Sequence, residues 1–258
     1  MERFELARDG IMKAGAALRK CPLDKDEVRR KTDHQDLVTC WDKKVEQMLR
    51  QEILGAFPMD RVVGEEYPED PGSCGDVAWY IDPIDGTTNF INQRKNYAVS
   101  IACWKAEQPL FGLVLDVERD ELYWARSGSG AWRNGENIHV SGRREISDLL
   151  LTTPCIQYTF LETHPHREWI LKLARAVRAV RSLGSVALEL CQLAAGEADM
   201  FVTTRSAPWD HNAARVILLE AGGCICTLNG EDLPLNSKTA VAAFNSQEMQ
   251  KLILQGGY

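Results

Sequence analysis

The segment Trp79-Tyr80-Ile81-Asp82-Pro83-Ile84-Asp85-Gly86-Thr87-Thr88-Asn89-Phe90 concentrates residues able to do chemistry. Apolar residues run into Asp82, Pro83 fixes φ and lacks the N–H that a continuing ladder needs, and Gly86 permits a tight bend. Asp82 and Asp85 are therefore expected to share one small space at a strand end. Two carboxylates held together need protons or cations to offset their repulsion, and hard oxygen ligands suit Mg²⁺. Thr87 and Thr88 would open a helical turn whose free N–H groups can receive a phosphate, which makes the metal and anion sites neighbours. The bare spacing also fits a surface turn with Asp caps, so the reading depends on the other acids.

Those acids recur at element ends. Gly64-Glu65-Glu66 follows a strand expected over Arg61 to Val63, although alone it would be a solvated acidic loop. Asp42 sits in Thr39-Cys40-Trp41-Asp42, which has the form of a capping box. Asp210, in Trp209-Asp210, precedes an apolar run at an expected helix N-terminus, where a carboxylate is stabilised anyway. The five histidines (34, 139, 164, 166 and 211) form no ligand set; His211 follows Asp210 and is placed near the site rim. The eight cysteines (21, 40, 74, 103, 155, 191, 224 and 226) contain no C-x-x-C pair and read as reduced core thiols, with Cys224 and Cys226 in a strand.

The elements that position these residues can be read from periodicity. Phe4, Ala7, Ile11, Ala14 and Leu18 mark a first amphipathic helix, and a second runs from Thr39 to Gly55. Short strands follow over Arg61 to Val63, Val77 to Ile81, Tyr97 to Trp104, Leu110 to Val117 and Glu121 to Ala125, then a loop or hairpin over Gly128 to Gly135. The second half alternates: strand Leu149 to Thr153, helices Pro165 to Val180 and Ser185 to Ala195, strand Asp199 to Thr203, helix Trp209 to Ala221, and strands Cys224 to Leu228 and Thr239 to Phe244. This gives an α+β half over residues 1–140 that carries most of the acidic motifs, and an α/β half over 141–258 that completes the site, without a linker.

The chain has 258 residues and a formal charge of −7, so no global cationic field holds a nucleic-acid backbone. No apolar run approaches a membrane span, and the charged N-terminus lacks a secretory core, which leads us to expect a cytoplasmic protein.

In combination these blocks resemble the inositol monophosphatase superfamily of Mg²⁺-dependent, lithium-sensitive phosphatases. The resemblance rests on Lys31 with Asp36 to Thr39 and Asp42, on Gly64-Glu65-Glu66, and on the Asp82 to Phe90 block. It extends through Arg181-Ser182-Leu183-Gly184-Ser185 with Gly196 and Asp199, and ends with Trp209-Asp210 and Glu220 to Gly223. It implies a layered α-β-α-β-α sandwich of the sugar-phosphatase type, a homodimer, and two or three Mg²⁺ per site. By resemblance, Glu65, Asp82 and the Ile84 carbonyl hold one ion and Asp82, Asp85 and Asp210 a second, while a weaker third uses Glu65 and water. Thr87, bonded to Asp42, would position and help to deprotonate the attacking water together with Glu65. The N–H groups of Gly86 and Thr87 would hold the phosphate, and Asp85, Gly184, Ser185, Thr203, Arg205 and Asp210 are carried to the substrate-facing side. Such an arrangement suits phosphomonoester hydrolysis, in which paired metals about 3.5–4 Å apart neutralise charge and activate water without a covalent nucleophile.

The departures concern substrate choice. Relatives acting on myo-inositol 1-phosphate carry a Glu in the neighbourhood of Val202, Thr203 and Thr204, where this chain has no acid. Arg205 can instead meet a second phosphate or carboxylate on the substrate. Val186 stands where Ala is common, and Asn212 and Ala214 where smaller residues and Gly are usual. Myo-inositol 1-phosphate thus stands beside 3′-phosphoadenosine 5′-phosphate, fructose 1,6-bisphosphate, histidinol phosphate and NADP as candidate substrates. A catalytically silent metal- or phosphate-binding module would have lost a carboxylate, yet Glu65, Asp82, Asp85 and Asp210 are all present.

Overall fold

A computed structural model describes residues 2–22, 29–30, 37–68 and 75–257. Lys31, His34, Asp36 and Cys74, singled out above, lie outside the described residues. In chain order the elements are α1 (Arg3–Lys20), α2 (Cys40–Ala56), β1 (Arg61–Gly64), β2 (Val77–Asp85), α3 (Thr87–Asn92), β3 (Ala98–Lys105), β4 (Gln108–Asp116), β5 (Glu121–Arg126), β6 (Ala131–Arg133) and β7 (Glu136–Ile138). Then come β8 (Leu150–Thr152), a π-helical turn (Gln157–Leu161), α4 (Arg167–Ala176), β9 (Ala179–Arg181), α5 (Val186–Ala194), β10 (Met200–Ser206), α6 (Pro208–Glu220), β11 (Cys224–Thr227), β12 (Thr239–Phe244) and α7 (Gln247–Leu254). A two-residue antiparallel pair, Arg29–Arg30 with Leu37–Val38, precedes α2.

Strands β1 to β7 form a seven-stranded sheet in sequential order, parallel only at β1–β2. The second sheet has the order β9-β8-β10-β12-β11 and mixes parallel with antiparallel pairs. Period-two alternation sorts the side chains between layers. Trp79, Ile81, Val99, Ile101 and Leu113 face α1 and α2, whereas Ala78, Tyr80, Ala102 and Val114 face α5 and α6. Phe201, Val241 and Ala243 of the second sheet meet those same two helices from the far side, while Met200, Val202, Ala242 and Phe244 pack beneath α4 and α7. The result is the expected α-β-α-β-α sandwich, with α5 and α6 as its middle layer.

Two local expectations need correction and one is met. The helix predicted over Pro165 to Val180 ends at Ala176, and Ala179–Arg181 leave it to pair with β8. The loop or hairpin expected over Gly128 to Gly135 is a hairpin: β6 ends at Arg133, and Asn134 and Gly135, both left-handed, turn it into β7. Pro83 does not end its ladder: β2 continues to Asp85, with partners jumping from Asp82–Ser100 to Asp85–Ala98. Three residues of β2 thus span two of β3, and this bulge absorbs the missing N–H.

Candidate active site

The bulge in β2 sets the site. Asp82 Oδ1 accepts the Ile84 N–H at 3.0 Å, fixing the turn around Pro83. Gly86 follows with φ +89°, a left-handed conformation that costs glycine little, and α3 starts at Thr87. A Cβ on Gly86 would come to 3.0 Å from the Asn96 carbonyl and 3.1 Å from that of Gly184, so the bend has no room for a side chain. A cavity of about 270 Å³ opens here, lined by Glu65, Asp82, Ile84, Asp85, Gly86, Thr87 and Asp210, and on its other side by Thr88, Pro154, Tyr158, Gly184, Val186 and Arg205.

Each acid is held by a different element. Asp42 closes the capping box of α2: its Oδ2 accepts from the N–H and hydroxyl of Thr39, both at 2.7 Å. Its Oδ1 lies 3.3 Å from the Thr87 hydroxyl, which is also 3.0 Å from the Ile84 carbonyl. Asp42 is fully buried and acts on the cavity through Thr87. Asp85 is gripped from the other half of the chain by the Ser185 hydroxyl at 2.5 Å and by the N–H groups of Ala187 at 2.7 Å and Val186 at 3.3 Å. These donors form the first turn of α5, whose positive dipole end favours the carboxylate. Asp210 caps α6 by accepting the Ala207 N–H at 2.7 Å.

The Glu65 loop is tied down by α2. Glu46 accepts the N–H of Glu66 at 2.7 Å and of Tyr67 at 3.2 Å, and pairs with Arg50, which also donates to the Tyr67 and Pro68 carbonyls. Gly64 makes this approach possible, because a Cβ there would lie 2.1 Å from Glu46 Oε1. Sequence reasoning missed Glu46 and Arg50, for an i,i+4 Glu–Arg pair on a helix looks like an ordinary solvated pair.

Burial, above all, pushes the carboxyl of Asp82 well above its ordinary range, with the charges of Glu65, Asp85, Asp210 and Asp42 adding to it. Burial raises Asp85 to about 6 against the donors of α5, and it raises Asp210 as well. An oxygen-rich cluster that resists bearing its own charge is suited to hard divalent cations. Among the described residues no three His, Cys, Asp or Glu side chains are drawn in to the spacing of a closed metal shell. Protein donors hold several of these oxygens instead.

Other expectations are corrected by the packing. Ser185 and Thr203 are buried and do not line the cavity: Ser185 is spent on Asp85 and the α5 cap, and Thr203 bonds the backbone of Arg205. His211 is not at the rim but in the core, with Nδ1 2.8 Å from the Ser206 hydroxyl, and burial lowers its pKa to about 3, keeping it neutral. Cys224 and Cys226 are strand residues, and the seven described cysteines are free thiols. Tyr158 is a wall residue that the sequence did not disclose. It lies on the π turn, which has no apolar periodicity to announce it.

Comparison with known proteins gives the class to which this layered sandwich and its acid cluster belong, the phosphoric monoester hydrolases. The chain belongs to the inositol monophosphatase family, whose model matches residues 3–255. It is 37% identical to inositol-1-monophosphatase of Bacillus subtilis (strain 168), over 93% of this chain and 91% of that one. It is 34% identical to the fructose-1,6-bisphosphatase/inositol-1-monophosphatase of Thermotoga maritima, over 84% and 81%. Inositol monophosphatase II of Staphylococcus aureus MSSA476 superposes with a TM-score of 0.85 at 30% identity, covering 99% of this chain and 94% of that one. The chain is thus a phosphatase of a metal-dependent superfamily. Among the described residues no helix is long and apolar enough to cross a membrane.

Proposed function

We propose that the protein hydrolyses a small phosphomonoester such as myo-inositol 1-phosphate with the help of Mg²⁺. The observation that carries this reading is the buried cluster of Asp82, Asp85 and Asp210 with raised pKa values, beside the left-handed Gly86. Glu65, Asp82, the Ile84 carbonyl, Asp85 and Asp210 would hold two or three ions. When bound, the ions offset phosphate charge and lower the pKa of a bound water. The chain's own residues do the rest. Thr87, held between Asp42 and the Ile84 carbonyl, presents its hydroxyl to the attacking water, and Glu65 takes up its proton. The N–H groups of Gly86 and Thr87 orient the phosphate.

Support for a bisphosphorylated alternative such as fructose 1,6-bisphosphate comes from Arg205, the only Lys or Arg among the described lining residues. A homodimer, a cytoplasmic location, sensitivity to lithium and a division of the chain near residue 140 belong to the same reading.

The test is phosphate release from myo-inositol 1-phosphate, 3′-phosphoadenosine 5′-phosphate, fructose 1,6-bisphosphate, histidinol phosphate and NADP, with Mg²⁺ or EDTA. One preferred substrate, silenced by EDTA and by Asp85→Asn, is the expected result. Hydrolysis unaffected by EDTA would overturn the metal assignment.

A further inference from the structure

Arg205 stands out against its surroundings. The cavity it lines carries four carboxylates, from Glu65, Asp82, Asp85 and Asp210. A guanidinium on the wall of an acidic cavity does not serve cations; what it meets across the cavity has to be anionic. In this structure its counter-ion is internal: Nη2 pairs with Oε2 of Glu162, both side chains being largely exposed, at 60% and 46%.

One short turn brings both partners of Arg205 together. Tyr158 lies in the π turn and Glu162 caps its end. The guanidinium carbon sits 5.1 Å from the centre of the Tyr158 ring, a cation–π arrangement. The turn itself is pinned: Thr204 donates to the Tyr158 carbonyl at 3.2 Å, the hydroxyls of Thr153 and Thr159 meet at 3.0 Å, and Arg167 donates to the Phe160 carbonyl at 3.1 Å. From the other side, the register of β10 against β12 shifts between Thr203 and Ser206, and Arg205 lies on that irregular stretch. A π turn interrupts regular helix at some cost in geometry, and such turns gather at functional positions.

We propose that Tyr158 and Glu162 set the substrate range through Arg205. The Tyr158 ring holds the guanidinium on the cavity wall, and Glu162 neutralises it while the substrate's leaving group is uncharged. A leaving group bearing a second anionic group replaces Glu162. Glu162 is thus an internal competitor, and Tyr158 a positioning residue. An exposed ion pair is weakly held, so the exchange needs little driving force and its effects are graded rather than all-or-none. This inference rests on the cavity taking the phosphate ester, as proposed above.

The experiment compares KM and kcat for fructose 1,6-bisphosphate and fructose 1-phosphate, and for 6-phosphogluconate and glucose 6-phosphate. The first pair reads a second phosphate and the second a carboxylate. Glu162→Gln is expected to lower KM for the member with two anionic groups in at least one pair about three- to ten-fold, leaving kcat and the partner with a single phosphate unchanged. Arg205→Gln is expected to raise the same KM at least ten-fold and to abolish the effect of Glu162→Gln in the double variant. Tyr158→Phe should keep the discrimination between the members of each pair and Tyr158→Leu should lose it. Equal KM ratios in wild type and Glu162→Gln for both pairs, or an effect of Glu162→Gln that persists without Arg205, would overturn the proposal. Absence of turnover on all four esters would instead overturn the phosphomonoester reading beneath it, and the proposal with it.

Discussion

Asp82 is where the conflict between chemistry and stability is sharpest. Burial and four neighbouring acids raise its pKa, so in metal-free protein its charge is a cost to the fold. Asp82→Asn should therefore abolish phosphatase activity, by at least ~100-fold, while leaving the melting temperature in EDTA unchanged or higher, by about 2–4 °C for each kcal/mol recovered. The stabilisation of wild type by added Mg²⁺ should vanish in the variant; calorimetry with and without metal reads both effects. Glu189 gives a separate titration. Burial lifts its carboxyl from an ordinary 4.5 to about 8, although it accepts the Leu183 and Gly184 N–H groups. The folded protein keeps a proton that the unfolded chain releases near pH 4.5, so this contribution is fully present at low pH and is lost as pH rises through about 8. In EDTA, Glu189→Gln should be more stable than wild type at pH 9, and the difference should disappear towards pH 4.5. A stability difference independent of pH would refute this. Asp82 and Asp85 stood out from the turn around Pro83 and Gly86, whereas Glu65 and Asp210 read alone as a solvated loop and a helix cap and joined them only through the family resemblance. Tyr158, Glu46 and Glu162 were not legible, since each acquires its meaning only from a residue distant in sequence.

At the scale of elements, α5 acts as a clasp on β2. Ser185 caps α5 through the Leu188 N–H at 3.2 Å and grips Asp85 with the same hydroxyl. Ser185→Ala removes both, and should cost about 1–2 kcal/mol of stability together with a fall in kcat, since Asp85 loses one of its three donors. Urea unfolding and steady-state kinetics measure the two losses. Ser185→Thr, which keeps a hydroxyl, should recover part of each. The ends of elements were harder to read than their existence. Val177 to Val180 extend the apolar run of α4 without a Gly or Pro, yet parallel pairing with β8 claims Ala179 to Arg181. Pro83 was read correctly as a break in hydrogen bonding, but a bulge let the strand pass it.

On the scale of the whole molecule, the middle helical layer binds the two sheets into one unit. Its core includes Tyr80 and Val114 from the first sheet, Ala213 and Ile217 from α6, and Phe201 and Val241 from the second. Equilibrium unfolding in urea should therefore show one transition by fluorescence and circular dichroism, with the two curves superimposing. Two resolved transitions would instead favour halves that fold independently on either side of residue 140. The grip of Ser185 on Asp85 also has a meaning for synthesis. The bond joins positions 100 residues apart, and Asp210 completes the cavity lining later still. On a ribosome adding about 5–20 residues per second, the acids of the first half wait on the order of ten seconds for the donors and the last carboxylate that complete their surroundings. Over that interval the nascent chain carries an unfinished acidic face, and the cavity lining is complete only once Asp210 has been made.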